Sequence, residues 1–125
     1  MSVFTDEVRA KLNEPVDPKF IKQRPGPKGT TLDYVKGAYV ANGLNSLFGI
    51  DQWTFEVKDT RRVDSIDAEG TITQSWAVLG RLVIGDNELI REDWGEDYDI
   101  KAATTDALKR CCHTIGRKLG GSLYE

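Results

Sequence analysis

The spacing of apolar residues changes period twice along the chain. Over residues 32–48, LDYVKGAYVANGLNSLF, apolar side chains recur at Tyr34, Ala38, Ala41, Leu44 (or Asn45) and Phe48, the spacing of one helix face. Gly37 and Gly43 each cost such a helix ~1 kcal/mol relative to alanine, so their presence predicts close packing of another backbone. Gly49 is placed to cap its end. The period then becomes two. In residues 52–58 Trp53, Phe55 and Val57 alternate with polar partners, a half-buried strand. Residues 72–84, ITQSWAVLGRLVI, form a longer strand after the turn DAEG. The turn GDN at 85–87 leads into ELIREDWG, so the last two strands read as a hairpin. A helical period returns from about Asp99 to Leu119. Upstream, residues 4–12 carry a short helix signal, with Thr5 as cap, Asp6 and Glu7 in the first turn, and Pro15 ending it. Two prolines and two glycines in KQRPGPKGTT predict a basic loop without regular structure. The order α–α–β–β–β–α predicts an α+β fold, a three-stranded antiparallel sheet with its helices on one face.

Length and composition place this pattern in one domain over residues 1–125, with 39% apolar and 30% charged residues. No internal repeat or linker divides it. No apolar run approaches the ~20 residues needed to span a bilayer, and the N-terminus lacks the regions of a signal peptide. An intracellular, cytoplasmic protein without a membrane partner is expected. Cys111 and Cys112 are neighbours and cannot staple a loop, which fits a reducing compartment.

The net charge of −3 conceals segregation. Residues 19–36 carry Lys19, Lys22, Arg24, Lys28 and Lys36 against Asp33, a local +4. Residues 85–99 set seven carboxylates against Arg91, a local −6. Residues 100–125 return to +3. Salt screens exposed charges beyond ~10 Å, so a polyanion responds to the local field rather than the average.

On a helical wheel Thr104, Leu108, Cys111, Cys112, Ile115 and Leu119 fall on one side. Lys109, Arg110, His113 and Arg117 fall on the other, with Asp106 among them. Lys101, Thr105, Lys109, His113 and Arg117 form an i, i+4 ladder: either a solvated charged face, or one whose like charges repel and would be offset by a phosphate backbone. The cysteines then face the core. Adjacent cysteines diverge by about 100° on a helix and have one histidine to help, so zinc coordination is not expected. EDWGEDYD holds five carboxylates and raises a divalent-metal nuclease. Placed in a turn between strand and helix, they serve as solvated charge, as an N-cap at Asp97 or Asp99, or as an acidic edge meeting a neighbouring subunit. Trp53, Trp76 and Trp94 lie on strands and read as core or interface residues. Tyr34 adjoins the basic loop and is the better candidate for stacking on a base. RPGPKGTT lacks the ending of a phosphate loop, no nucleophile–base pair is apparent, and neither catalysis nor a cofactor is expected.

TDALKRCCHTIGRKLG resembles the Thr-Asp-[Gly/Ala]-Leu-Lys-Arg…[Phe/Ile]-Gly…Leu-Gly helix of the Rad52/Rad22 recombination mediators, which anneal complementary single strands. LDYVKGAYVANGLNSLFGIDQWTFEV is similar to that family's Tyr-[Ile/Val]-x-Gly…Val…Leu-Asn…Phe-Gly…Trp segment. An arginine stands ten residues before the tyrosine, and EDWG is similar to the family's Glu-Asp-x-Gly. The match runs from about Phe20 to Tyr124. The resemblance implies a domain that assembles into rings or arcs, with single-stranded DNA in a basic groove lined by Lys109, Arg110, Arg24 and Tyr34. It also implies a recombinase or single-strand-binding protein as a further partner. His113, Arg117, Lys22 and Lys28 complete the candidate DNA-binding set. The chain departs from the family where His113 replaces a common groove arginine, where EDYD is short and acidic and lacks the basic residues of a second DNA site, and where it stops at Glu125. That compact pattern suits a bacterial or phage member, acting in the cytoplasm or at the nucleoid. Two other readings stay open: a double-stranded nucleic-acid-binding module, whose sheet-plus-basic-helix layout is similar to a double-stranded-RNA-binding core, and a metal-dependent nuclease using the 92–99 cluster.

Overall fold

The computed structural model of the chain describes residues 2–125. Its elements are α1 (Asp6–Leu12), β1 (Lys22–Pro25), β2 (Thr31–Tyr34), α2 (Gly37–Phe48), β3 (Trp53–Ile66), β4 (Ile72–Ile84), β5 (Leu89–Asp97) and α3 (Ile100–His113). Short 3₁₀ turns follow at Arg117–Leu119 and Gly121–Tyr124. β3, β4 and β5 form one antiparallel sheet in that order, and β1 pairs with β2 as a separate two-stranded ribbon. The α+β class, the three-stranded antiparallel sheet and the strand 72–84 agree with the sequence pattern.

Alternation sorts the sheet into two faces. Trp53, Phe55, Val78, Gly80, Leu82 and Ile84 turn toward α3 and α2. Glu56, Arg61, Leu79, Arg81, Glu92 and Trp94 occupy the opposite face, which no helix among the described residues covers. A β-bulge between Val57 and Asp59 switches the phase of β3, so that Asp59 and Arg61 fall on the face opposite Phe55 and Val57. β5 pairs only as far as Trp76, so the hairpin's distal residues project as a two-stranded arm ending at the exposed pair Ile66 and Ile72.

Helix α3 lies unusually close to the sheet because three small residues meet. A side chain at Gly95 would overlap the backbone of Ala103 and Ala107, both fully buried. The core continues through Val40, Leu44, Leu82, Ile84, Cys111, Cys112 and Leu119. Both cysteines are buried as expected, and burial pushes the Cys111 thiol up to about 11. The buried face of α3 is Ala103, Ala107, Cys111 and Cys112, rotated from the expected stripe, with Thr104, Leu108 and Ile115 only half-buried.

Four boundaries differ from expectation. KQRPGPKGTT is a β-ribbon, not an irregular loop: Pro25 ends β1, Pro27 opens a 3₁₀ turn, and Gly26 N–H donates to Thr30 O at 2.7 Å. A two-stranded ribbon has free edges on both sides, where a proline's missing N–H is tolerated. Helix α2 starts at Gly37 rather than residue 32, because Thr31–Tyr34 pair with β1; its buried stripe is Val40, Leu44 and Phe48. Gly37 and Gly43 accommodate the side chains of Thr105 and Leu119, not a backbone. Strand β5 runs to Asp97, two residues past the expected ELIREDWG, so Glu92, Asp93, Glu96 and Asp97 lie on the strand and only Asp99 stands in the bend before α3. The last helix ends at His113, six residues early: Gly116 is extended and passes against Leu12, so Leu119 re-enters the core from a 3₁₀ turn.

Candidate nucleic-acid interface

The β1–β2 ribbon and the distant helix α3 bring two cations to one aromatic ring. Tyr34, at the end of β2, carries the Arg24 guanidinium 5.7 Å from its ring centre and the Lys109 ammonium 5.5 Å from it. Arg24 reaches the ring from β1 because Lys22 pairs with Tyr34, which puts Arg24 on the diagonal of the same ribbon face. Lys109 arrives from α3 and donates to the Val35 carbonyl at 3.1 Å. Its pKa is lowered, first by burial, then by the Arg24 and Arg110 charges against the opposing pull of Asp106. A nearby anion would offset the mutual repulsion of these cations and favour their charged forms.

Arg110 follows on α3 and is oriented by Asp106, which accepts from its Nε at 2.9 Å. Asp106 also accepts from the Glu96 backbone N–H at 3.0 Å, so one carboxylate ties α3 to β5 and aims the guanidinium. The bond to Asp106 is the main cause that holds the Arg110 pKa up. His113, one turn beyond Lys109, is half-buried. Burial, then the Lys109 and Arg110 charges, bring its pKa down to about 4. The imidazole is therefore neutral at physiological pH and stays so well into the acid range.

The remaining candidates have other surroundings. Arg117 leaves the ladder because α3 ends early; it forms a bidentate pair with Glu125 at 2.7 and 2.8 Å and donates to the Asn13 carbonyl. Lys28 stands exposed at the ribbon tip with a left-handed backbone (φ 55°). Lys22, paired with Tyr34 across the ribbon, also lines a cleft of about 630 Å³ with Lys19, Lys36 and Lys118 around Phe20 and Tyr39. Sequence reasoning missed Tyr124, whose ring centre lies 4.4 Å from that of His113. A tyrosine in the last turn of the chain has no periodicity to mark it.

The acidic strand does not gather its carboxylates. Register places Glu92 and Glu96 on the uncovered face and Asp93 and Asp97 on the other. Glu92 faces Arg81, Glu96 accepts from Ser75, and Asp99 caps α3. Among the described residues no three His, Cys, Asp or Glu side chains converge to hold a metal. Trp53 donates to Asn45 at 2.8 Å, and Trp76 and Trp94 carry Arg62 and Arg61 over their rings. No helix among the described residues is long and apolar enough to cross a membrane.

The family model described as the Rad52/22 family double-strand break repair protein matches residues 5–125. The chain belongs to the Rad52/22 family. Among its relatives, the DNA repair and recombination protein RAD52 of Eremothecium gossypii is 32% identical over 134 residues, covering 96% of this chain and 30% of the relative. The RAD52 protein of Saccharomyces cerevisiae is 28% identical over 97% of the chain and 28% of its own length. Schizosaccharomyces pombe rad22 is 26% identical over 94% of the chain and 28% of its own length. This Rad52/22 chain thus spans about 30% of the length of the curated relatives it matches.

Proposed function

We propose that the chain binds single-stranded DNA and anneals complementary strands during recombination and repair, without a nucleotide cofactor and without cutting DNA. The convergence of Arg24, Tyr34 and Lys109 carries this reading. A phosphate beside Tyr34 would complete both cations, and Arg110 extends the track along α3. Contacts of this kind follow the backbone and carry no base sequence, as annealing of arbitrary strands requires. Lys22 and Lys28 flank the track on the ribbon, while Arg117 shapes the C-terminal turn. The relatives' names as DNA repair and recombination proteins support the same reading.

Assembly into a ring or arc belongs to this proposal. The basic ribbon and α3 alternate with the acidic β5 edge, and the bare sheet face carries Leu79 and Trp94, so subunits have both charge and apolar area to share. A recombinase or single-strand-binding protein is the expected further partner. Sedimentation at micromolar concentration should give a species well above a dimer once DNA is present; monomer alone, with and without DNA, contradicts the assembly. Competition between single- and double-stranded oligonucleotides of equal length tests the substrate. Single strands should win, and preference for duplex would favour a double-stranded-RNA-binding-like module instead.

A further inference from the structure

We infer that Tyr124, braced by His113, is a nucleobase-stacking platform at the end of the phosphate track, one helical turn beyond Lys109. This deepens the proposed function and rests on it. Lys109 and His113 are four residues apart on α3, so the His113 ring follows the Lys109 side chain on the same face. The imidazole is fixed from two directions. Gly120 passes so near that a side chain there would come within 2.8 Å of His113 Cδ2, and its backbone is left-handed (φ 110°), a conformation open to glycine. The Tyr124 ring leans on the imidazole at 41° with centres 4.4 Å apart.

The tyrosine is itself held between anchored neighbours. Leu123 packs against the core, the Ser122 hydroxyl accepts from Val16 N–H at 3.1 Å, and Glu125 is gripped by Arg117. Yet Tyr124 is 68% exposed, so the ring face turned from His113 is free. A solvent-facing aromatic ring braced on one face by His113 has the properties that sequence-tolerant base stacking needs. Stacking uses a base's face and leaves its pairing edge free, so it is compatible with a strand that must still find its complement. Burial keeps His113 uncharged, so this end of the track recognises the base rather than the phosphate.

The test compares oligodeoxythymidylate with an abasic strand of equal phosphate number, across a salt series, for the wild-type chain, Tyr124→Ala and Tyr124→Phe. Loss of one stack should weaken thymidylate binding by Tyr124→Ala roughly five- to hundredfold. Abasic-strand affinity and the slope of log K against log salt should stay at their wild-type values, because no phosphate contact is lost. Tyr124→Phe should restore thymidylate affinity, since the ring and not the hydroxyl does the stacking. Equal weakening on both strands, failure of Tyr124→Phe to restore binding, or no weakening by Tyr124→Ala would each overturn the platform while leaving single-strand binding in place. A wild-type chain that binds neither strand would remove the functional reading itself, and the platform with it.

Discussion

Replacing Lys109 by methionine separates the two roles that the structure gives this residue. Methionine keeps the half-buried stem but removes the ammonium, and with it the 3.1 Å bond to the Val35 carbonyl and the cation beside Tyr34. A hydrogen bond from a charged donor contributes about 1.5–3 kcal/mol and an exposed cation–π contact about 0.5–1 kcal/mol. Against this, Val35 O can recover a water, and crowding by Arg24 and Arg110 is relieved. A net loss of about 1–2 kcal/mol is expected, visible as a lower urea midpoint at unchanged m-value. Binding changes separately: one phosphate contact fewer should flatten the salt slope on single strands by about 0.7. Both measurements use the same purified variant. An unchanged urea midpoint would refute the Lys109–Val35 tie, and an unchanged salt slope would refute the phosphate contact.

Three further outcomes follow from the geometry. The unfolded chain protonates His113 near 6.5, whereas the folded chain resists until about 4, so its contribution to stability is full above ~6.5 and lost as pH falls toward 4. The urea midpoint of a His113→Gln variant should therefore depend less on pH across 4–6.5 than that of the wild type; equal dependence would place the acid sensitivity elsewhere. Gly95→Ala should destabilise by about 3 kcal/mol or more, because its side chain would meet the α3 backbone and not a movable side-chain tip, and a variant of wild-type stability by urea titration would show that α3 stands further off. Because Asp93 and Asp97 face away from Glu92 and Glu96, magnesium or manganese should support no DNA cleavage; cleavage lost in Asp93→Asn/Asp97→Asn would restore the nuclease reading.

What the sequence made legible was set by local punctuation. Strand β4 begins and ends where the pattern places it, because turns with left-handed Gly70 and Gly85 bound it on both sides. Arg24, Tyr34, Lys109 and Arg110 were each visible as charge or aromatic character beside a basic run. What joins them was not. The Lys109–Val35 bond spans 74 residues, and the end of α3 is set by Gly116 passing Leu12 at the far end of the chain. Tyr34 fits the helical spacing of Ala38 and Ala41, and only pairing with β1 draws it into a strand. The half-burial of His113 was not legible from its helix, because it depends on Gly120 and Tyr124, which approach through the C-terminal turn.

Annealing of two complementary dye-labelled strands, followed without nucleotide or metal, tests the proposed activity most directly. Arg24→Ala/Arg110→Ala is the comparison of choice, because both side chains are exposed and the pair leaves the Lys109–Val35 tie intact. The wild-type chain should accelerate pairing well above the spontaneous rate, and the folded double variant should fall back toward it. A wild-type chain that leaves the spontaneous rate unchanged, or a folded variant that anneals as fast as wild type, would contradict the assignment of this cluster to single-stranded DNA.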